Sequence, residues 1–194
     1  MRIKNKFIIL FALVSAFSFS QSKDEQEQRI DLEQFPKEAQ LLLKDLPNDS
    51  KKLKFYRETD SLKVSYEAKF KYKKRFFSVE FDNTGKLEDI EVIIKNKKLD
   101  KTLLEALTNF YNTNYKSFKF IKIQQQYVPK YNPTNALILE LLNGNSSSYK
   151  TNYEIIAEVK SNSKREIREF TFDDKGQLIR SRPLKPSSYE HIMY

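Results

Sequence analysis

FFSVEFDNTGKLEDIEVIIK (76–95) and IREFTFDDKGQLIRSRPLK (167–185) write one pattern twice. In each, an alternating apolar run enters Phe-Asp-x-x-Gly-x-Leu, at 81–87 and again at 172–178, and a further strand-like run follows. Asp early and Gly last suit a type I turn with Gly in the left-handed region, closing an antiparallel hairpin through a bulge. Phe81 and Leu87, and likewise Phe172 and Leu178, are then expected to meet across the hairpin mouth on the buried face. A calcium loop would need oxygen ligands at alternating positions over about a dozen residues and a closing bidentate Glu. A phosphate cradle would need more glycine and a following helix. Neither copy supplies these, so the repeat reads as folding punctuation.

The same unit extends upstream of each copy. Leu62, Val64, Tyr66, Ala68, Phe70 and Tyr72 share one parity, and Lys63, Ser65, Glu67, Lys69 and Lys71 the other, which predicts a half-buried strand with one wet face. KLKFYRE (52–58) is a shorter strand before it, with a turn at Thr59-Asp60-Ser61. Pro36 and the spacing of Ala39, Leu42, Leu43 and Leu46 predict a helix over 36–46. In the second half, Asp100 caps a predicted helix over 101–115 with Leu103, Leu104, Leu107, Phe110 and Tyr111 as its stripe. FKFIKIQQQY follows as a strand with Ile121, Ile123 and Tyr127 on one face, and then Tyr153, Ile155, Ala157 and Val159 alternate with Glu154, Glu158 and Lys160. Strand glutamates such as Glu67, Glu80 and Glu158 read as solvent-facing.

One segment breaks the symmetry. Between the first two strands of the second half stands an insertion, 128–149, whose core NALILELL lies between Asn132-Pro133 and Asn143-Gly144 and reads as about two helical turns. It is expected either to cover the sheet or core, or to present Leu137, Leu139 and Leu141 to a partner.

Residues 1–20 read as a secretory signal peptide: Arg2, Lys4 and Lys6 precede the apolar FIILFALVSAF, which is short for a bilayer span, and small residues follow near Ser20. Cleavage removes three basic residues and lowers the formal charge from +9 to +6, 32 basic against 26 acidic. Nucleic acid is a poor fit to such a moderately basic exported chain with interspersed charges. Residues 21–31 are polar and aperiodic and are expected to form a flexible leader; 187–194 form a polar tail. The absence of cysteine excludes disulfides, thiolate chemistry and a lipid-modified N-terminal cysteine. The single histidine, His191, lies in the tail, so histidine-based catalysis and histidine metal sites have no material in the folded part. No catalytic, metal or cofactor residues are assigned.

FPKEAQLLLKDL, KFYRETDSLKVSYEAKFKYKKRFFSVEFDNTGKLEDIEV, LLEALTNFYNTNY, FIKIQ and NYEIIAEVK with REFTFDDKGQL, in this order, resemble the PepSY-like domain proteins exported by Gram-negative bacteria, whose architecture is similar to that of the beta-lactamase inhibitor protein. The resemblance covers about 33–182 apart from the insertion. It implies an α+β fold in which two tandem helix-plus-four-strand repeats, 32–97 and 98–186, form one curved antiparallel sheet with helices on one face. It also implies a periplasmic or secreted, non-enzymatic module that binds or inhibits a peptidase or other envelope protein. On the parity opposite the core, Lys69, Lys71, Lys122, Gln124 and Gln126 are the candidate contacts. Two other readings stand beside this one. An envelope carrier of a hydrophobic ligand would use the insertion as a lid, and a hydrolase would need two carboxylates converging in a cleft with perturbed pKa values.

Overall fold

A computed structural model describes residues 25–185, apart from 133 and 163; residues 1–20, expected to be a signal peptide, and the tail with His191 lie outside the described residues. Nine strands form a single sheet in chain order, every neighbour antiparallel. They are β1 (Glu25–Ile30), β2 (Lys51–Asp60), β3 (Lys63–Tyr72), β4 (Arg75–Asp82), β5 (Leu87–Ile93), β6 (Ser117–Pro129), β7 (Tyr149–Lys160), β8 (Arg165–Asp173) and β9 (Leu178–Pro183). Helix α1 (Lys37–Leu43) lies between β1 and β2, α2 (Lys101–Asn114) between β5 and β6, and α3 (Asn135–Leu142) between β6 and β7. Among the described residues no helix is long and apolar enough to cross a membrane.

The apolar parity of each strand packs beneath the helices in two clusters. Ala39 and Leu43 of α1 sit on Ala68, Phe70, Phe77, Val79, Phe81 and Ile90. Leu103, Leu107 and Tyr111 of α2 sit on Ile155, Ala157, Val159, Phe170 and Phe172, with Tyr111 at the centre of a ring of aromatic contacts. Asp100 caps α2 as its position predicts, accepting from the backbone N–H groups of Thr102 and Leu103.

The two Phe-Asp-x-x-Gly-x-Leu turns are built alike. The Gly85 N–H donates to the Asp82 carbonyl and the Gly176 N–H to that of Asp173; each Asp side chain accepts from the backbone N–H groups two and four residues on. Each Gly has positive φ, and each turn presses its Gly onto a helix. A Cβ at Gly85 would lie 2.8 Å from the Pro36 Cβ and 2.9 Å from the Ala39 nitrogen, and one at Gly176 would lie 2.8 Å from the Ala106 Cβ. Gly85→Ala and Gly176→Ala are therefore expected to lose about 2 kcal/mol or more each, read as denaturation midpoints. Gly144→Ala, at φ 102° with open space around it, should lose only the backbone part.

Several expectations need correction. Residues 25–30, expected within a flexible leader, form β1 on the sheet edge, where Ile30 joins the first core and Glu27 reaches Lys69. Leu62 is fully exposed because it sits in the β2–β3 turn rather than in the strand. Ile121 is exposed because a register shift between Phe120 and Lys122 puts Phe120 on the core side in its place. Phe81 and Leu87 meet on the buried face as expected, whereas Leu178, paired with Phe172, is 43% exposed near the sheet edge. The insertion, expected either to cover the sheet or core or to face a partner, forms α3 and packs into the core. Ile138, Leu141 and Leu142 are buried, Asn135 Nδ2 donates to the Leu41 carbonyl and the Asp45 carboxylate, and Arg75 donates to the Leu142 carbonyl.

Candidate functional site

The face opposite the helices is the unusual one. All ten buried polar or charged residues in the described part lie on it: Glu58, Glu67, Ser78, Asp89, Glu91, Gln124, Asn152, Glu154, Glu169 and Thr171. Pairing of Glu67 with Glu80, Ser78 with Glu91, Gln124 with Glu154, Glu154 with Thr171, and Glu169 with Arg182 places them side by side across the sheet. The expectation that strand glutamates face solvent is corrected here. Glu67 is 4% exposed, Glu80 is half-buried, and only the half-buried Glu158 makes an ordinary rim pair, with Arg165 at 2.7 Å.

Curvature explains the burial. Arg182 of β9 donates from Nη1 to Asp60 of β2 at 2.7 Å and from Nε to Glu169 of β8 at 2.7 Å. Flat strands spaced about 4.8 Å apart would hold β2 and β9 roughly 34 Å apart. The sheet therefore curls towards its polar face until a single arginine spans from one flank to the other.

Within the concavity, charges fall into three groups. In the first, Lys69 Nζ donates to Glu27 at 2.6 Å, pairs with Glu67 Oε2 at 2.8 Å and lies 5.0 Å from the Tyr56 ring centre. Ser78 Oγ donates to Glu67 Oε1 in a short hydrogen bond. Burial alone would raise the Glu67 pKa, but hydrogen bonding to Glu58 and the Lys69 ammonium hold it at about 2, while burial and the Glu67 charge push Glu58 well above the usual carboxylate range. In the second, Gln124 donates to Glu91 and Gln126 donates to Asp89 Oδ2 at 3.1 Å, while Asp89 Oδ1 is buried without a hydrogen-bond partner among the described residues. Burial, then the Glu154 charge, raises Asp89 to about 8 and Glu91 well above its ordinary value. The third is Glu169, 1% exposed, held between Arg182 and, at 3.7 Å, Arg180.

Two carboxyl triads, Glu27–Glu58–Glu67 and Glu80–Asp89–Glu91, each bring an oxygen within 4.8 Å of the others. Lys69 supplies the cation of the first; in the second, burial and the neighbouring carboxyls raise Asp89 and Glu91.

Towards β1 and β2 the concavity opens into a cleft of about 790 Å³. Glu67, Lys69, Ser78, Glu91 and Gln124 lie within it, Tyr56, Phe76 and Ile93 give it apolar surface, and Arg29, Lys52, Lys54 and Lys122 bring positive charge. Of the residues expected to make contacts, Lys69, Lys122 and Gln124 thus converge on one cleft. Lys71 stands over the Phe76 ring at 5.2 Å, and Gln126 lies deeper, between Asp89 and Asn152. Leu137 and Leu139 are partly buried against the first core and Leu141 is within it, away from the cleft. Sequence reasoning missed Tyr56, Phe76, Arg29, Lys52 and Lys54. Part of their signal was available: Lys52, Lys54 and Tyr56 alternate with Leu53 and Phe55, and Phe76 alternates with Phe77 and Val79, but only the register, Lys54 opposite Lys69 and Phe76 opposite Lys71, brings them to one face.

No family model matches the chain, and no curated protein matches it. Among solved structures, it is similar to a DUF2874 family protein from Bacteroides ovatus ATCC 8483, with TM-score 0.50 and 14% identity over 77% of this chain and 87% of that one. It is similar also to a protein provisionally described as periplasmic from Bacteroides eggerthii DSM 20697, with TM-score 0.51 and 13% identity over 77% and 88%. A third is a DUF2874 family protein from Bacteroides uniformis ATCC 8492, with TM-score 0.50 and 15% identity over 76% and 88%. These likenesses are of fold.

Proposed function

We propose that this chain is an exported, non-enzymatic binding module of the bacterial envelope, periplasmic or secreted, that grips a segment of another protein in the concave cleft. The carrying observation is the cleft itself: a recess of about 790 Å³ in which Phe76, 41% exposed, and Ile93 offer apolar surface among unburied cations. Such a mixture of aromatic anchor and polar rim suits a protein surface. A peptidase is the kind of partner that the PepSY-like resemblance implies. The matching turns and their matching contacts with α1 and α2 support reading 32–97 and 98–186 as tandem copies of one unit. Glu58 and Glu67 converge with pKa values pushed apart, as a hydrolase would need, but Glu58 does not line the cleft and Glu67 is tied to Ser78 and to Lys69, which favours binding over acid–base catalysis. The α3 segment packs into the core, so nothing favours its use as the lid of a ligand carrier.

The test is capture from envelope extract with the 21–194 chain, with Phe76→Glu, and with Leu41→Glu on the exposed back of α1. A protein retained by the parent and by Leu41→Glu but lost from Phe76→Glu is expected. Retention indifferent to Phe76→Glu, or none at all, would refute the proposal.

A further inference from the structure

We infer that the segment taken by the cleft is acidic: an extended stretch carrying Asp or Glu carboxylates around at least one apolar side chain. This rests on the binding-module reading and specifies its partner. Arg29 of β1, Lys52 and Lys54 of β2 and Lys122 of β6 all line the cleft, with Lys71 of β3 beside it over Phe76. The side chains of Arg29, Lys54 and Lys122 make no ion pair or hydrogen bond among the described residues, and that of Lys52 has only the Phe76 ring, 5.9 Å away. The strand register also sets Lys51 opposite Lys71, a like-charge pair that weakens a sheet unless an anion completes it, whereas Lys69, opposite Lys54, already has Glu27 and Glu67. At the same place the register slips between Lys51 and Lys54, and Lys52 holds φ 57°. A non-glycine residue in that region carries strain that accompanies functional sites.

The carboxyls of the floor cancel only part of this positive charge. Glu27 and Glu67 share Lys69, which leaves one negative charge against the four cations Arg29, Lys52, Lys54 and Lys122, and burial raises the Glu91 pKa and so disfavours its charge. Phe76 and Ile93, both more than a third exposed, seat the apolar side chain. A recess suits an inserted segment better than it suits a planar anionic membrane, whose headgroups would meet only the rim.

The experiment uses fluorescein-labelled peptides of about twelve residues, repeats of Asp-Leu-Glu-Phe, with Lys-Leu-Arg-Phe and Gln-Leu-Asn-Phe as the basic and neutral versions. Vesicles with about one third anionic lipid form a separate arm. Binding to the parent is compared with Lys52→Glu/Lys54→Glu/Lys122→Glu, whose folding is checked by its thermal midpoint. Should the triple variant misfold, Lys54→Gln/Lys122→Gln replaces it. The acidic peptide is expected to bind best, and to weaken about tenfold or more on charge reversal and on raising salt from about 0.05 to 0.5 M. Neutral or basic peptides binding as tightly, or indifference to charge reversal, would overturn the acidic preference while leaving the Phe76-dependent capture standing. Vesicle binding without peptide binding would overturn it in favour of a membrane surface. Absence of all binding, together with Phe76-independent capture, would remove the binding module as well.

Discussion

Arg182→Ala is expected to be the most damaging single truncation on the concave face, lowering stability by about 3–5 kcal/mol. The guanidinium links Asp60 to Glu169, and Glu169 is 1% exposed, so its removal takes the nearest cation from a carboxylate held away from water. Arg180, 3.7 Å from Glu169 with a largely exposed side chain, can recover only part of the loss. Replacing both partners, as in Glu169→Leu/Arg182→Met, should destabilise less than Arg182→Ala alone, because an apolar pair leaves no buried charge behind. Urea denaturation of the three proteins checks this. If Arg182→Ala costs no more than a surface substitution, the curl that brings β9 to β2 is not held as described.

The second large effect is on pH dependence. Asp89 is raised to about 8 and Glu58 and Glu91 well above their ordinary values, first by burial and then by neighbouring carboxyls. Groups raised in this way take up protons in the folded state more readily than in the unfolded chain. Their contribution is fully present below the unfolded value, near 4, and is lost as pH rises, for Asp89 through about 8. Each carboxyl changes stability by about 1.4 kcal/mol per pH unit within its window. Glu67 has the opposite sign: held at about 2, it stabilises above its unfolded value and that contribution is lost as pH falls towards 2. For these groups, stability should peak in mild acid and decline steadily towards pH 9. Asp89→Asn/Glu91→Gln should flatten the alkaline limb and raise the melting temperature at pH 9. A parent chain equally stable at pH 5 and pH 9 would rule out the buried, protonated carboxyls.

Much of the helix side was legible in the sequence because its signals are local. Pro36 and Asp100 mark helix starts, the spacing of Leu103, Leu107 and Tyr111 gives one apolar stripe, and the alternation from Ala68 to Tyr72 identifies the buried parity. Even α3 appeared as two apolar turns between breakers. What alternation cannot show is whether the polar parity meets water. That depends on the curl joining Asp60 to Arg182 across 122 positions, a tertiary fact with no local trace. β1 was missed for a related reason: EQEQRI is a sheet edge with only Ile30 buried, so it shows almost no apolar period. The sequence did hold one clue. Glu58, Glu67, Glu80, Glu91, Glu154 and Glu169 repeat on the polar parity of one strand after another, and the register sets Glu27 opposite Glu58, Glu67 opposite Glu80 and Glu80 opposite Asp89. A freely solvated face would avoid such like-charge neighbours.

The central claim is that this chain has a second, polar interior in its concave face, which organises the cleft where a partner binds. Carboxyl-carbon NMR titration of the acidic side chains tests it most directly. The account predicts that Asp89 titrates near 8 and Glu67 near 2, with Glu58 and Glu91 well above the ordinary range. Titration of all four between about 3.5 and 5, the range of solvated carboxylates, would contradict it and return the face to open water.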